Sequence, residues 1–200
     1  MVLCCNIYYY IFMHHPDIKS NFDTKLELYL NNASHSPLPI SHKKILTNYM
    51  QQWQLATHDP YYYNFKANDL LKNEIAQFIN CSSQQISTQF NVAQSFSHIL
   101  QGLQWQKGDE VILIEGDYPS VTLPFQTNKD ITIRWIKPVN DMVCIADIQA
   151  VLSSKTRLIA LSYVSYRSGQ VQPIKAISDF CKKHNILVCV DATGALGVIP

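Results

Sequence analysis

Short apolar runs alternate with helix-patterned segments over the second half of the chain. Runs rich in Ile and Val, bounded by polar residues or glycine, predict strands at 86–90, 110–115, 131–136, 157–162 and 186–190. Between them, the spacing of apolar positions predicts helices at 93–103, 120–128, 145–153 and 173–184. This β-α-β-α order predicts an α/β fold, in which a mainly parallel sheet carries helices on both faces.

The residues before this alternation predict a different organisation: a loop at 29–39, a helix at 40–55, an aromatic loop at 59–65 and a helix at 66–80. We therefore divide the chain into a segment at 1–25 without an assigned role, a helical and loop arm at 26–85, and a partial large domain at 86–200. The last predicted strand has the continuous apolar pattern of a central strand. Because the sequence stops at Pro200, we expect an incomplete and poorly soluble sheet.

The start of the chain and its overall charge exclude several classes of protein. The apolar stretch at 2–13 is shorter than the roughly twenty residues that span a bilayer, and it lacks the features of a signal peptide. A buried strand and a mis-assigned start codon remain as its interpretations. The net charge of +1 predicts no nucleic-acid or membrane partner. The cysteines form no disulfide framework, and Cys4-Cys5 lacks the spacing of a metal site, so we expect a cytoplasmic protein without a metal.

A carboxylate follows the last predicted strand. Asp191 comes directly after the apolar run at 186–190, at the sheet edge where ligands of parallel sheets bind. A partly buried carboxylate is costly unless it meets a cation, and the protonated pyridine nitrogen of a cofactor is such a cation. A plain turn aspartate is the alternative, and Asp191 taken alone favours it.

Two strand-to-helix turns give weaker signals. The segment 91–95 begins a helix, and backbone N–H groups at a helix start bind phosphate, although a simple cap by Asn91 explains the same residues. The segment 116–120 places Tyr118 where its ring either stacks on a flat cofactor or is merely half-buried in a turn. No Gly-x-Gly-x-x-Gly turn and no Walker lysine occur, which argues against a nicotinamide dehydrogenase and a nucleotide-triphosphate site.

From residue 29 onward the sequence resembles the class V aminotransferases, a family that includes the cysteine desulfurases. Residues 29–37 (YLNNASHSP) resemble the family's opening Tyr-Leu-Asp-Asn-Ala-Ala loop, and 102–112 (GLQWQKGDEVI) its Gly-Leu…Gly-Asp-Glu-Val-Ile stretch. Residues 161–169 (LSYVSYRSG) resemble its Ser-x-Val-x-x-x-x-Gly segment, and 190–192 (VDA) fall on its cofactor-binding aspartate. Each match is weak alone, but together their order and spacing are specific.

The resemblance implies a fold-type I large domain that binds pyridoxal 5′-phosphate (PLP), acts on an amino acid and works as a homodimer. By this resemblance Asp191 pairs with the pyridine nitrogen and Tyr118 stacks on the ring. Val92 and Ala93 offer backbone N–H groups to the phosphate. Arg167 fits either an anion contact or, with somewhat more weight, a solvated surface position.

The sequence also departs from the family pattern. The position of Ala93 usually carries a hydroxyl that helps to hold phosphate, and the position of Gly194 usually carries Gln or His against the ring's phenolic oxygen. Thr193 is the candidate substitute for that contact. The family's Schiff-base lysine lies beyond the aspartate segment, and no lysine of this chain fits its position, so no catalytic residue is assigned and the chain alone is expected to be inactive.

Two functions remain in competition. The first is part of a PLP enzyme that acts on an amino acid, as a transaminase, desulfurase or related lyase or epimerase. The second is a non-catalytic remnant or binding module of the same fold. Ala93, Gly194 and the absent lysine favour the second, whereas Asp191 and Tyr118 count against a complete loss of cofactor binding.

Overall fold

The computed structural model describes residues 2–3, 20–23, 29, 31, 35–57, 59 and 61–199. These residues belong to two compact units, one drawn from Met1–Ile7 with Gln89–Pro200 and the other from Tyr8–Thr88. Cys4, Cys5 and most of the apolar stretch 2–13 lie outside the described residues, as does part of the opening loop. Within the described ranges, every helix is too short or too polar to cross a membrane.

The larger unit is built on a parallel sheet. Its strands are β1 (Val2–Leu3), β2 (Asp109–Ile114), β3 (Ile131–Ile136), β4 (Thr156–Ser162) and β5 (Leu187–Asp191). Their order across the sheet is β1-β5-β4-β2-β3, and every neighbouring pair is parallel. The fold class predicted from the sequence is therefore confirmed.

Helices cover both faces of this sheet. The helices of this unit are α3 (Val92–Gly102), α4 (Pro119–Gln126), α5 (Ile145–Val151) and α6 (Ile174–Lys183). Val111 and Leu113 of β2 pack with Phe96 of α3 and Phe125 of α4, in one hydrophobic cluster. Because successive strand side chains point to opposite faces, the intervening residues of β2 join a second cluster with residues of α5 and α6. Burial on both sides explains why residues 111–114 of β2 are continuously apolar rather than alternating.

The amino ends of the strands are tied together by ion pairs. Glu110, 4% exposed, accepts a 2.7 Å hydrogen bond from Arg134 and a 2.6 Å bond from the hydroxyl of Ser153. Asp109 accepts a 2.7 Å bond from Arg157, which also reaches the carbonyl of Gln104 just after α3. These buried carboxylates are therefore compensated by cations and hydroxyls, as burial of a charge requires.

The smaller unit is helical. It contains α1 (Ile40–Gln54), a π-helical segment at Tyr62–Lys66 that continues into α2 (Ala67–Phe78), and a short 3₁₀ turn at Ser83–Gln85. A reciprocal pair of hydrogen bonds between Ser82 and Gln85 caps this turn. Helix α1 has no buried residue, and its large apolar side chains, including Met50 and Trp53, are exposed.

Most of the predicted elements are present, and two predictions are wrong. The predicted strand at 86–90 is not a strand: Ile86 is extended, but its N–H bonds to Ser83, and the N–H of Phe90 bonds to the side chain of Gln94. These local bonds replace a sheet ladder. The predicted aromatic loop at 59–65 is helical from Tyr61 onward, because the aromatic run continues directly into the helix that follows it.

Candidate functional site

The carboxyl ends of three adjacent strands carry the polar residues of the site. Strand β5 ends at Asp191, its neighbour β4 ends at Ser162, and the turn after β2 contains Asp117 and Tyr118. Neighbouring strands lie about 4.8 Å apart, so β2 and β5 are separated by roughly 10 Å at this edge. Parallel α/β sheets bind ligands at this edge, in the crevice where the helices begin.

Asp191 is a buried carboxylate with one oxygen occupied. It is 7% exposed, and its Oδ1 accepts a 2.9 Å bond from the N–H of Thr193 and a 2.6 Å bond from the Thr193 hydroxyl. Its carbonyl accepts a 2.8 Å bond from the N–H of Tyr163, beside the end of β4. No donor among the described residues reaches Oδ2. That oxygen is therefore available to a donor that a ligand supplies, which is the role predicted for Asp191.

Thr193 contacts the carboxylate rather than an open space. Its hydroxyl proton is donated to Asp191 Oδ1, so the same hydroxyl cannot also donate to a ring oxygen of a ligand. The predicted direct contact between Thr193 and a cofactor remains a prediction. In the structure, Thr193 instead orients Asp191 through these two hydrogen bonds.

Tyr118 lies at the start of α4 with its ring near the surface. It is the residue before the first helical turn, it is 45% exposed, and its N–H donates a 2.6 Å bond to Asp117 Oδ1. The ring packs against Tyr166 with centroids 5.2 Å apart and an interplanar angle of 76°. The ring is therefore partly accessible, and its stacking on a cofactor remains a prediction.

Asp117 and Ser162 form a link between strand ends that was not predicted from the sequence. Asp117 accepts a 2.8 Å bond from the N–H of Ser162 and a 2.6 Å bond from its hydroxyl. This link fixes the turn that carries Tyr118 to the end of β4. The available signal was a polar residue at each strand end, but nothing in the spacing shows that the two residues meet.

The start of α3 offers unpaired backbone donors. Asn91 caps the helix by accepting a 2.8 Å bond from the N–H of Gln94, which leaves the N–H groups of Val92 and Ala93 without an acceptor in the described part of the chain. The opposite end of α3 lies at the amino edge, where Arg157 reaches Gln104. The helix start is therefore at the carboxyl edge, where its free N–H groups and dipole favour an anion.

Arg167 is held in an ion pair over a glycine turn. Its guanidinium lies 2.5 Å from Asp141 Oδ1, and a Cβ at Gly116 would lie only 2.7 Å from Arg167 Nη1. Gly116 also has φ +74°, and this backbone conformation, rather than the contact with the mobile guanidinium, favours glycine there. Arg167 contacts a carboxylate of its own chain while its side chain is 47% exposed, so the structure agrees with both interpretations of this residue, the anion contact and the solvated surface position.

A small cavity borders this ion pair. Its volume is about 20 Å³, and its lining includes Asp117, Ser162, Arg167 and Gln172. This volume is enough for about one water molecule. Neither Tyr118 nor Asp191 is among the residues that line it, so this cavity is separate from the two predicted cofactor-binding side chains.

The position that usually carries a side chain against the cofactor's phenolic oxygen is closely approached here. Gly194 is exposed, and a Cβ built on it would lie 3.3 Å from Cβ of Val164. A Gln or His at this position therefore requires Val164 to shift by a few tenths of an ångström. Glycine fits beside Val164 without such a shift.

Taken together, the chain is an α/β protein with a buried carboxylate, an aromatic ring and a free helix start at one sheet edge. The family model of the class V aminotransferases matches residues 28–200, and the chain belongs to this family. It is 24% identical over 188 residues to the cysteine desulfurase IscS of Buchnera aphidicola, an alignment that covers 88% of this chain and 46% of the relative. It is 26% identical over 195 residues to a probable cysteine desulfurase of Methanothermobacter thermautotrophicus, with 94% and 49% covered.

Solved structures give the same assignment of the fold. The cystine C-S lyase C-DES in complex with cysteine persulfide superposes with a TM-score of 0.74 and 25% identity, covering 86% of this chain and 49% of that one. A lysine-to-alanine mutant of C-DES, with glycine covalently linked to its PLP cofactor, superposes with a TM-score of 0.75 and 24% identity. The chain spans about half the length of these relatives.

Proposed function

We propose that the carboxyl edge of this sheet is a binding site for PLP, in part of an enzyme that acts on an amino acid. The observation that carries this proposal is Asp191: it is buried, oriented by Thr193, and has one oxygen that no described residue occupies. Asp191 holds the protonated ring nitrogen, Tyr118 stacks on the ring, and Val92 and Ala93 bind the phosphate through their N–H groups.

Each residue contributes a separate physical effect. The carboxylate of Asp191 keeps the ring nitrogen protonated, since a buried charge is stable only beside an opposite one. The start of α3 attracts the phosphate through its dipole and free N–H groups. The bond from Thr193 holds Asp191 in one orientation. PLP, when bound, supplies an electron sink for reactions at the α-carbon of an amino acid.

The reaction itself is proposed from the relatives. Several of them are named cysteine desulfurases, so cysteine is the first substrate to test. The family lysine is not among the residues of this chain that match the family motifs, and we expect no turnover by these 200 residues alone. Homodimer formation and a cytoplasmic location belong to the same proposal. The second candidate, a binding module without turnover, is favoured by Ala93 and Gly194.

Binding is tested with a cofactor analogue that cannot react with lysine. Pyridoxine 5′-phosphate has an alcohol in place of the aldehyde, so its binding by calorimetry reports the non-covalent site only. Asp191→Ala should weaken binding by at least about tenfold, because it removes a hydrogen bond between charged groups. The exposed Asp179→Ala is the control and should bind as the wild type does. Failure of the wild type to bind the analogue would overturn the proposal.

Turnover is tested separately. The chain is incubated with PLP, cysteine and a dithiol that reduces persulfide sulfur to sulfide, and sulfide release is compared with that of PLP, cysteine and the dithiol alone. We expect no difference. Sulfide release above this background that disappears in Asp191→Ala would show that the 200 residues are catalytically sufficient, contrary to our expectation, and would exclude the binding-module alternative.

A further inference from the structure

The ring of Tyr118 has an aromatic partner that belongs to a different loop. Tyr166 lies in the connection between β4 and α6, and its ring meets Tyr118 at 76° with centroids 5.2 Å apart. In either form of a T-shaped pair, at least one face of the Tyr118 ring is left uncovered by Tyr166. Tyr118 is 45% exposed, so part of this residue is accessible to a ligand.

The loop that carries Tyr166 is a small hairpin with its own internal bonds. Val164 and Val171 form an antiparallel bridge, and the N–H of Ser165 donates a 2.9 Å bond to the carbonyl of Gln170. The N–H of Gly169 closes the tip by donating a 2.8 Å bond to the carbonyl of Ser165. Tyr166 is therefore presented by a folded turn rather than by an extended loop.

Two contacts tie this hairpin to the loop after β3. Arg167, next to Tyr166, pairs with Asp141 at 2.5 Å. Gln172, at the other end of the hairpin, is 6% exposed and donates a 2.5 Å bond to the carbonyl of Asp141, while its oxygen accepts a 2.9 Å bond from the N–H of Val143. Because Arg167 also lies against Gly116, two residues before Tyr118, the hairpin is held beside the turn that carries the ring.

We propose that Tyr166 is a positioning residue that fixes the Tyr118 ring in the orientation in which it stacks on the cofactor. This inference rests on the proposed function, because it assigns a partner to the proposed stacking residue. A half-exposed ring without a neighbour samples several rotamers and loses that freedom when a ligand stacks on it. A ring already held by Tyr166 loses less, so the ligand binds more tightly.

The test measures the affinity for pyridoxine 5′-phosphate in a double-mutant cycle of the full chain. Tyr166→Ala should weaken binding by about three- to tenfold, the range expected from the loss of one aromatic pair. Tyr166→Phe keeps the ring without the hydroxyl and should bind as the wild type does. In the Tyr118→Leu background, Tyr166→Ala should have no further effect, because the ring that it positions is absent. Circular dichroism and thermal melting show whether each variant is folded.

The outcomes separate the two claims. If a folded Tyr166→Ala variant binds the analogue as tightly as the wild type does, the positioning role is overturned and the proposed function is left intact. If Tyr166→Ala weakens binding by the same factor in the Tyr118→Leu background, the positioning role is also overturned, because Tyr166 then acts through another contact. Absence of binding by the wild type overturns the proposed function, and the positioning role with it. Rescue by Tyr166→Phe together with no effect in the Tyr118→Leu background supports the proposal.

Discussion

Asp117 accepts two hydrogen bonds from Ser162, one from the backbone N–H at 2.8 Å and one from the hydroxyl at 2.6 Å. The two residues are 45 positions apart: Ser162 is the last residue of β4, and Asp117 lies in the turn after β2. The same Asp117 carboxylate accepts a bond from the N–H of Tyr118. One side chain therefore fixes the end of β4, the turn after β2 and the backbone of the proposed stacking residue.

Removing this carboxylate should destabilise the larger unit. Asp117→Ala leaves the hydroxyl and N–H of Ser162, which is 7% exposed, without their acceptor. We expect the free energy of unfolding to fall by about 2–3 kcal/mol, the cost of losing hydrogen bonds to a charged group. Urea denaturation measures the change.

The control for this prediction is a second acidic residue on the same turn. Glu115 is exposed, and Glu115→Ala should change the free energy of unfolding by less than about 0.5 kcal/mol. If both variants lose the same stability, the effect comes from the charge of the turn and not from the link between Asp117 and Ser162.

The sheet of the larger unit could be predicted from the sequence because both of its faces are buried. Residues 111–114 of β2 are all apolar and all buried, and such a run between polar boundaries predicts a central strand. The segment at 86–90 (ISTQF) was also predicted as a strand, although three polar residues separate its two apolar ones, and it is not a strand. Its amides bond to nearby residues, and the choice between local bonds and a sheet neighbour is made by tertiary structure rather than by composition.

Acid should remove a stabilising contribution of Glu110. Its hydrogen bond with Arg134 holds the pKa of this carboxyl below the ordinary 4.5, against the opposing effect of burial. Because the folded-state pKa is the lower one, the contribution is complete above the unfolded-state value. It is lost as the pH falls through about 4.5 and then through the folded-state pKa. Arg134 is 48% exposed, so solvent screens the ion pair and its contribution is moderate.

Glu110→Gln tests this dependence. The variant cannot titrate at this position, so its free energy of unfolding should fall less steeply than that of the wild type as the pH is lowered from neutral to about 3. Chemical denaturation at a series of pH values measures the two slopes. Glu115→Gln removes an exposed carboxyl near the same strand and is the control for the loss of one negative charge. Equal slopes for the wild type and Glu110→Gln would contradict the prediction.

The site was predicted only in part, for a geometric reason. Asp191 and Tyr118 each follow an apolar strand, and the carboxyl ends of parallel strands share one edge, so their convergence could be inferred. The contacts of Asp117 and Tyr166 depend on which strands are neighbours and on how a loop after β4 folds back. Strand order is not encoded in local periodicity, and these two residues were therefore missed.

Ala93 is the position at which a hydroxyl should improve phosphate binding. Its N–H is free at the start of α3, and its side chain ends at Cβ and carries no hydroxyl group. Ala93→Thr should tighten the binding of pyridoxine 5′-phosphate by about tenfold, because a hydrogen bond to a charged phosphate contributes about 1.5 kcal/mol or more. Ala93→Val has nearly the same shape and β-branching as threonine but no hydroxyl, so it is the matched control and should bind no more tightly than the wild type. Calorimetry measures the binding of pyridoxine 5′-phosphate, and a parallel titration with inorganic phosphate shows whether the gain in affinity comes from the phosphate group. Equal gains for Thr and Val would mean that the side chain acts by packing or by helix propensity, and would contradict the predicted hydrogen bond between a hydroxyl at this position and the phosphate.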